Sequence, residues 1–325
     1  MSFSFVNKIF LPETALHFPA KELFLYQYRY NKTYKAWCDC LHTDINNIDS
    51  PETIPFLPIS FFKTRTVISG DDDYELFFES SGTTQSNKSR HYIKDLDVYI
   101  QSFTKGFHIF YGDVKDWCII GLLPSYLQQQ HSSLVKMVDE LIRQTNHPQS
   151  GFYLYEYEKL FTVLQQLEKA HQKTLLIGVT YALLDFAEQF PSQLSSTAFI
   201  ETGGMKGRRK ELTRNEVHDI LKKQFHVQHI HSEYGMSELL SQAYSKQDGR
   251  FYCPPWMKVF IRDEDDPLLV KASGKGALNI IDLANANSCA FIATEDVGEV
   301  FSDGSFTVAG RLDGSDIRGC SLMVV

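Results

Sequence analysis

No stretch of the sequence approaches the roughly 20 consecutive apolar residues that a helix needs to cross a bilayer. The opening MSFSFVNKIFLPETALHFP also lacks the basic start and long apolar run of a secretory leader. Neither a membrane span nor an export signal is expected. Cationic residues are in deficit: 32 Lys and Arg stand against 40 Asp and Glu, a formal net charge of −8. A general nucleic-acid binder shows the opposite balance. The six cysteines are scattered through 325 residues, which does not suit a disulfide framework. Cys38 and Cys40 form a CxC with no second pair nearby, so a zinc site is not expected there. A reduced, cytoplasmic setting is the reading that follows. No Walker A loop occurs, and Asp71, Asp72 and Asp73 in GDDDYE do not have EF-hand spacing.

What the chain does have is aromatic and apolar bulk, with 24 Phe, 16 Tyr and 43% hydrophobic residues. The length allows roughly three quarters of the unfolded surface to be buried. The first 73 residues mix aromatics with isolated prolines and show weak periodicity, which predicts short helices and loops packed as an outer layer. From Tyr74 onward the pattern alternates. YELFFES, DWCIIGLLP, TLLIGVT, TAFIETGG and VQHIHSEYG read as strands ending in turns. Between them, Leu160, Leu164 and Leu167 share a helix face, and YALLDFAEQF is a helix stopped by Pro191. Thr213 and Glu216 form a capping box ahead of Val217, Ile220, Leu221 and Phe225. Such alternation predicts an α/β protein with parallel sheets covered by helices. After Phe251 the helical signals fade into a β-rich closing section. The expected division is an N-terminal layer over 1–73, a first α/β subdomain over 74–200, and a second with the β-rich end over 201–325.

In open parallel sheets, ligands bind where loops leave the carboxyl ends of strands. Three loops with chemistry sit at such ends: 80–88, 202–207 and 233–238. In SSGTTQSNKS, Gly82 permits a tight turn whose backbone N–H groups can face an anion. Ser80, Ser81, Thr83 and Thr84 add neutral donors and Lys88 a charge. The alternative for this loop by itself is a polar surface turn. In EYGMSE, the Tyr234 ring can stack on a base, the Ser237 hydroxyl can reach a phosphate, and the Glu238 carboxylate can hold Mg²⁺. Gly203 and Gly204 would let backbone approach a flat base. Asp296 and Arg311 are a pair able to clamp two ribose hydroxyls. His229, His231 and Glu233 alternate along one strand face, a metal arrangement set against ordinary hydrogen-bonded strand polars. The basic run from Lys206 to Lys210 is either a steering patch or a solvated helix approach.

The ordered set SSGTT…K, GLLPSY, TGG, EYGMSE, TEDVGEV and GRLDG resembles the adenylate-forming superfamily of acyl-CoA synthetases, adenylation domains and luciferases, over roughly residues 74 to 320. Length and the ending GRLDGSDIRGCSL look most like the acyl-protein synthetases, the long-chain-fatty-acid–protein ligases of bacterial fatty-acid reductase complexes. The resemblance implies the large N-terminal domain of that fold, with the small C-terminal domain absent or vestigial. It also implies ATP and Mg²⁺ as cofactors. Ser81, Gly82, Thr83, Thr84 and Lys88 would form the phosphate loop, although Gln85 stands where glycine is usual. Gly203, Gly204, Tyr234 and Gly235 would take the adenine, Ser237 and Glu238 the phosphate and Mg²⁺, and Asp296 and Arg311 the ribose. Asp313 would be the hinge. Tyr126 and His131, in the loose match LPSYLQQQH, would line the acyl pocket.

The implied reaction activates a fatty or aryl carboxylic acid as an acyl-adenylate and transfers it to a protein thiol. By the same resemblance that thiol is Cys320. The alternative at this position is an exposed cysteine without a role. Two other readings stay open: an acyl- or aryl-CoA ligase whose small domain comes from a partner, and a degenerate nucleotide-binding subunit without chemistry. The acyl-protein synthetases imply an acyl-carrier, reductase or transferase protein as partner. The identity of the acid and the oligomeric state are not written in any local motif.

Overall fold

CIIGL and TLLIGV are buried at every position, which suits strands covered on both faces and explains why they read as continuous apolar runs. They sit inside a computed structural model that describes residues 6–10, 17–80, 88–124, 129–203, 212–263 and 265–312. The chain divides into two units, each assembled from separated segments. Residues up to 106, 235–243 and 252–312 build the first, and 107–234 with 244–251 build the second. The expected contiguous division at 73 and 200 differs from this. Composition shifts along a chain cannot register a segment that leaves one unit and returns.

In chain order the strands are β1 (Leu57–Pro58), β2 (Leu76–Glu79), β3 (Arg90–Ile93), β4 (Cys118–Leu122), β5 (Gly151–Phe152), β6 (Thr174–Val179) and β7 (Thr197–Thr202). They continue with β8 (His231–Tyr234), β9 (Ala243–Ser245), β10 (Met257–Arg262), β11 (Val270–Lys271), β12 (Gly274–Asp282), β13 (Phe291–Val300) and β14 (Phe306–Arg311).

The second unit holds the sheet β5-β4-β6-β7-β8-β9, with β4 to β8 paired in parallel. Its helices obey the predicted periodicity. Leu160, Val163, Leu164 and Leu167 are buried on Tyr157–Lys169, and Val217, Leu221 and Phe225 on Arg214–Phe225. Both halves of the Thr213–Glu216 capping box form. Strand order reverses between β4 and β6, so the loop after β4 leaves at a topological switch point. The GLLPSY motif starts within β4, at Gly121.

The first unit has a different character. Its six-stranded sheet runs β1-β13-β12-β10-β11, with β14 also on β13, and only the β1–β13 pair is parallel. The first seventy residues are not an outer layer. Leu57 pairs with Ile292, and Phe24, Tyr34 and Phe56 surround the Phe291 ring at centroid distances of 6.4, 5.8 and 6.4 Å. Fully buried Gln27 pins its helix by donating to the Asn285 and Ala286 carbonyls and accepting from Ala290 N–H. Aromatics spread over short helices give no clean period, so the sequence pattern hides how much core they supply.

Candidate functional site

The hydroxyl loop is expected at the end of a parallel strand. It instead joins β2 to β3, an antiparallel ribbon in register Glu79↔Arg90. A short run such as LFFE carries no mark of its partner's direction. Just beyond the register, Ser80 N–H donates to the Ser89 carbonyl (3.2 Å), and Ser89 N–H donates to Ser80 Oγ (3.1 Å). Residues 81–87, and with them Ser81, Gly82, Thr83 and Thr84, lie outside the described residues.

Lys88 stands at the base of this ribbon. Its Nζ lies 3.4 Å from Glu79 Oε2, while Arg90 Nε donates to Glu79 Oε1 at 3.0 Å. Burial alone would raise the Glu79 carboxyl, but Arg90 and Lys88 hold it below its ordinary value. Lys63, Arg65, Lys88, Arg90 and Glu79 line an open cavity of about 560 Å³. Four cations against one carboxylate make that groove attractive to a polyanion. Nothing in the sequence marks Lys63 and Arg65, since the residues between Phe61 and Thr66 carry no motif.

Burial alternates along Ser89-Arg90-His91, so Ser89 and His91 face inward while Arg90 is exposed. Ser89 Oγ donates to Glu238 Oε1 at 2.6 Å, and Glu238 is fully buried. His91 Nδ1 lies 2.9 Å from the Ser237 carbonyl and Nε2 lies 2.7 Å from Ser288 Oγ. A carbonyl only accepts, which fixes the proton on Nδ1 and makes Nε2 the acceptor. Burial holds His91 down to about 4, so it is neutral at ordinary pH. Ser237 Oγ donates to the Glu79 carbonyl at 3.1 Å. Ser237 and Glu238 are therefore fixed to the ribbon that carries Lys88. The one signal for Ser89 and His91 in the sequence is the period-2 alternation after Lys88.

A second anchor holds this segment. Asp282 accepts from Leu240 N–H (2.8 Å) and Ser241 N–H (2.9 Å) through Oδ2, and from Ser241 Oγ–H (2.6 Å) and Ala284 N–H (3.1 Å) through Oδ1.

Asp296 and Arg311 face each other across β13 and β14. Arg311 Nε is 3.7 Å from Asp296 Oδ1, and its Nη2 is ion-paired to Glu295. Gly298 sets this register. Pairing slips by one residue beside it, and a Cβ there would stand 1.9 Å from the Thr307 carbonyl oxygen.

In the second unit, Gly203 ends β7 with φ +77° and its carbonyl accepts from Thr180 Oγ–H at 3.1 Å. Tyr234, 8% exposed at the end of the neighbouring β8, has its ring 5.9 Å from Phe251. His131 is exposed just ahead of the helix Ser133–Thr145. Among the described residues no three His, Cys, Asp or Glu side chains group as a metal site. His231 instead stacks on Tyr111 at 5.7 Å, with burial holding it down to about 4. Gly204, Tyr126, Asp313, Cys320 and the Lys206–Lys210 run lie outside the described residues.

Glu233 accepts from Thr202 Oγ–H at 2.7 Å, and burial, with Glu201 adding to it, pushes its carboxyl up to about 7. Its folded value lies above its unfolded one. From about pH 4.5 to 7 the folded chain therefore binds more of this proton, and stability falls as pH rises through that window. Glu233→Gln is expected to flatten the corresponding part of the urea-midpoint profile between pH 4.5 and 8. An unchanged slope would place the titration elsewhere.

The chain matches the family described as acyl-protein synthetase, LuxE, over residues 20–325. It is 24% identical over 330 residues to the long-chain-fatty-acid–luciferin-component ligase of Aliivibrio fischeri, covering 93% of this chain and 85% of that one. For the Vibrio harveyi ligase of the same description the identity is 23% over equal shares. ATP-bound MatB from Rhodopseudomonas palustris superposes with a TM-score of 0.55 at 12% identity, over 74% of this chain and 49% of MatB. The chain thus spans about half the length of that structural neighbour. The shared feature is the fold, that of the large N-terminal α/β domain of adenylate-forming enzymes.

Proposed function

The chain belongs to the LuxE acyl-protein synthetase family, and we propose that it activates a fatty acid with ATP as an acyl-adenylate and hands the acyl group to a protein thiol. The observation that carries this reading is the Lys88–Glu238 assembly. A buried carboxylate is held by Ser89 on the same ribbon whose base presents Lys88 and a cationic groove.

In the first step a carboxylate oxygen of the acid bonds to the α-phosphorus and pyrophosphate leaves. Lys63, Arg65, Lys88 and Arg90 draw the polyphosphate in and offset charge as it redistributes. Glu238 suits Mg²⁺, which commonly takes one or two carboxylates with phosphate oxygens completing its shell. The ion would neutralise phosphate charge. Asp296 accepts from the ribose hydroxyls and Arg311 donates to them. Because the nucleophile is already ionised, positioning supplies much of the remaining acceleration.

In the second step a thiolate sulfur bonds to the acyl carbon and AMP leaves. Burial pushes the Cys38 thiol up to about 12 and Cys118 to about 11, and raises Cys253 and Cys289 as well. Such thiols are poor nucleophiles. Cys320, close after Arg318, and exposed Cys40 remain, and the family resemblance favours Cys320. The described cysteines are all free, which suits a reduced cytoplasmic setting, and no described helix is long and apolar enough to cross a membrane. A reductase-type protein is the fitting recipient of the thioester.

Incubation with ATP, Mg²⁺ and a fatty acid, without CoA, is expected to add one acyl mass to the intact chain. Cys320→Ser should abolish the adduct and Cys40→Ser should retain it. An adduct that survives Cys320→Ser moves the acceptor elsewhere. A product formed only with CoA would turn the reading toward an acyl-CoA ligase.

A further inference from the structure

A second cavity, of about 520 Å³, opens in the first unit against β10, β12 and β13, and nothing in the reaction above uses it. Its walls include Trp37, Leu41, Ile48, Ile54, Phe56 and Leu268. The volume falls within the usual span of small-molecule pockets. Leu268 is 63% exposed, an apolar side chain left at the rim.

Arg262 and Asn279, which also line the cavity, supply its polar character. Arg262 donates to Asn279 Oδ1 at 2.9 Å and to the Thr294 carbonyl at 2.8 Å. Both acceptors are neutral, so two of its five N–H groups are used without an ion pair. Burial lowers its basicity, and the nearby Glu295 charge partly restores it. Asn279 is 1% exposed and its Nδ2 is buried with no hydrogen-bond partner. The amide cannot be turned round to cure this, because a guanidinium only donates and requires Oδ1 against it. The β12–β13 register shifts between Ala277 and Asn279, the kind of irregularity that re-aims a side chain beside a site.

Two of the four carboxylates lining the cavity are paired, Asp263 with Lys271 at 3.0 Å and Glu295 with Arg311. Asp44 and Glu52 are the others lining the cavity. At Arg262 and Asn279 the cavity offers hydrogen-bond donors, one of them cationic, beside apolar walls, while Asp44 and Glu52 add carboxylates elsewhere in its lining.

We infer that this cavity is a binding site for an amphiphilic carboxylate, with the head group on Arg262 and Asn279 Nδ2 and the alkyl chain along Trp37, Ile54, Phe56 and Leu268. Oxygen acceptors there would satisfy the orphaned amide and complete the guanidinium's unused donors.

Calorimetric titration of the whole chain with dodecanoate, without ATP, tests the site, with dodecyltrimethylammonium as the opposite-charge probe. Dodecanoate should bind, and Leu268→Glu and Arg262→Gln should each weaken that binding by about tenfold or more. ATP–pyrophosphate exchange should stay within about twofold of wild type in both. Leu268→Glu lies at an exposed position, so it decides the matter even where Arg262→Gln disturbs folding. Preference for the ammonium probe would overturn the inference, as would dodecanoate affinity unaltered in Leu268→Glu. Because exchange is read separately, either failure leaves the proposed activity standing.

Discussion

Glu238→Gln is expected to lower ATP–pyrophosphate exchange by about two to three orders of magnitude while leaving the chain folded. The expectation rests on a division of labour between the two carboxylate oxygens and the charge. Oε1 accepts from Ser89 Oγ–H at 2.6 Å, and a glutamine carbonyl can accept the same bond. The amide has nearly the same volume, so a fully buried position is not overpacked. What the substitution removes is one negative charge, the property that lets the side chain hold a divalent cation against phosphate oxygens. Circular dichroism and the thermal midpoint should therefore change little, while exchange measured with saturating fatty acid collapses. Exchange within threefold of wild type would remove Glu238 from the chemistry and leave it as a structural partner of Ser89.

The parts of this arrangement that are local in the chain are readable from it. Periods of 3.6 give the helices that carry Leu160, Leu164 and Leu167, and buried runs such as TLLIGV give the central strands. Thr213 and Glu216 mark a helix start because both members of the box lie within one turn. Pairings across distance are not readable in that way. Ser89 meets Glu238 over 149 residues, and His91 meets Ser288 over 197. Each is an ordinary polar residue on a short strand until the fold brings its partner. Arg262 and Asn279 are hidden for the same reason: Asn279 in ALNIIDL looks like an interruption of an apolar strand, and only the register shift beside it gives it a location. Asp296 and Arg311 differ in that their motifs flank a two-stranded return, so sequence proximity and cross-strand register coincide.

Asp282→Ala is expected to destabilise the chain by about 3–5 kcal/mol, read as a shift of the urea midpoint at neutral pH. Four donors converge on this one carboxylate: Leu240 N–H, Ser241 N–H, Ser241 Oγ–H and Ala284 N–H. Behind them runs an ordered chain. Since Ser241 donates to Asp282, Ser102 must donate to Ser241 at 3.0 Å, and Trp256 Nε1 donates to Ser102 at 3.0 Å. Alanine leaves the four donors to Asp282 buried without their acceptor, and the loss exceeds that of any one bond. Burial pushes the Asp282 carboxyl up to about 6, against hydrogen bonds that favour its ionised form. Between about pH 4 and 6 the folded chain thus holds this proton more tightly than the unfolded one, and stability from this group falls as pH rises to a plateau above 6. Asp282→Asn should abolish that slope and, by retaining one acceptor, cost less than alanine. Leu240 and Ser241 lie two and three residues after Glu238, so Asp282 also positions the carboxylate to which the proposed reaction assigns the metal. At a temperature where circular dichroism reports a folded variant, exchange should still fall by about tenfold to a hundredfold. A midpoint shift below about 1 kcal/mol would show that the four donors find other acceptors. Full exchange activity in a folded Asp282→Ala would show that the Glu238 segment is held in place by Ser89 and His91 without it.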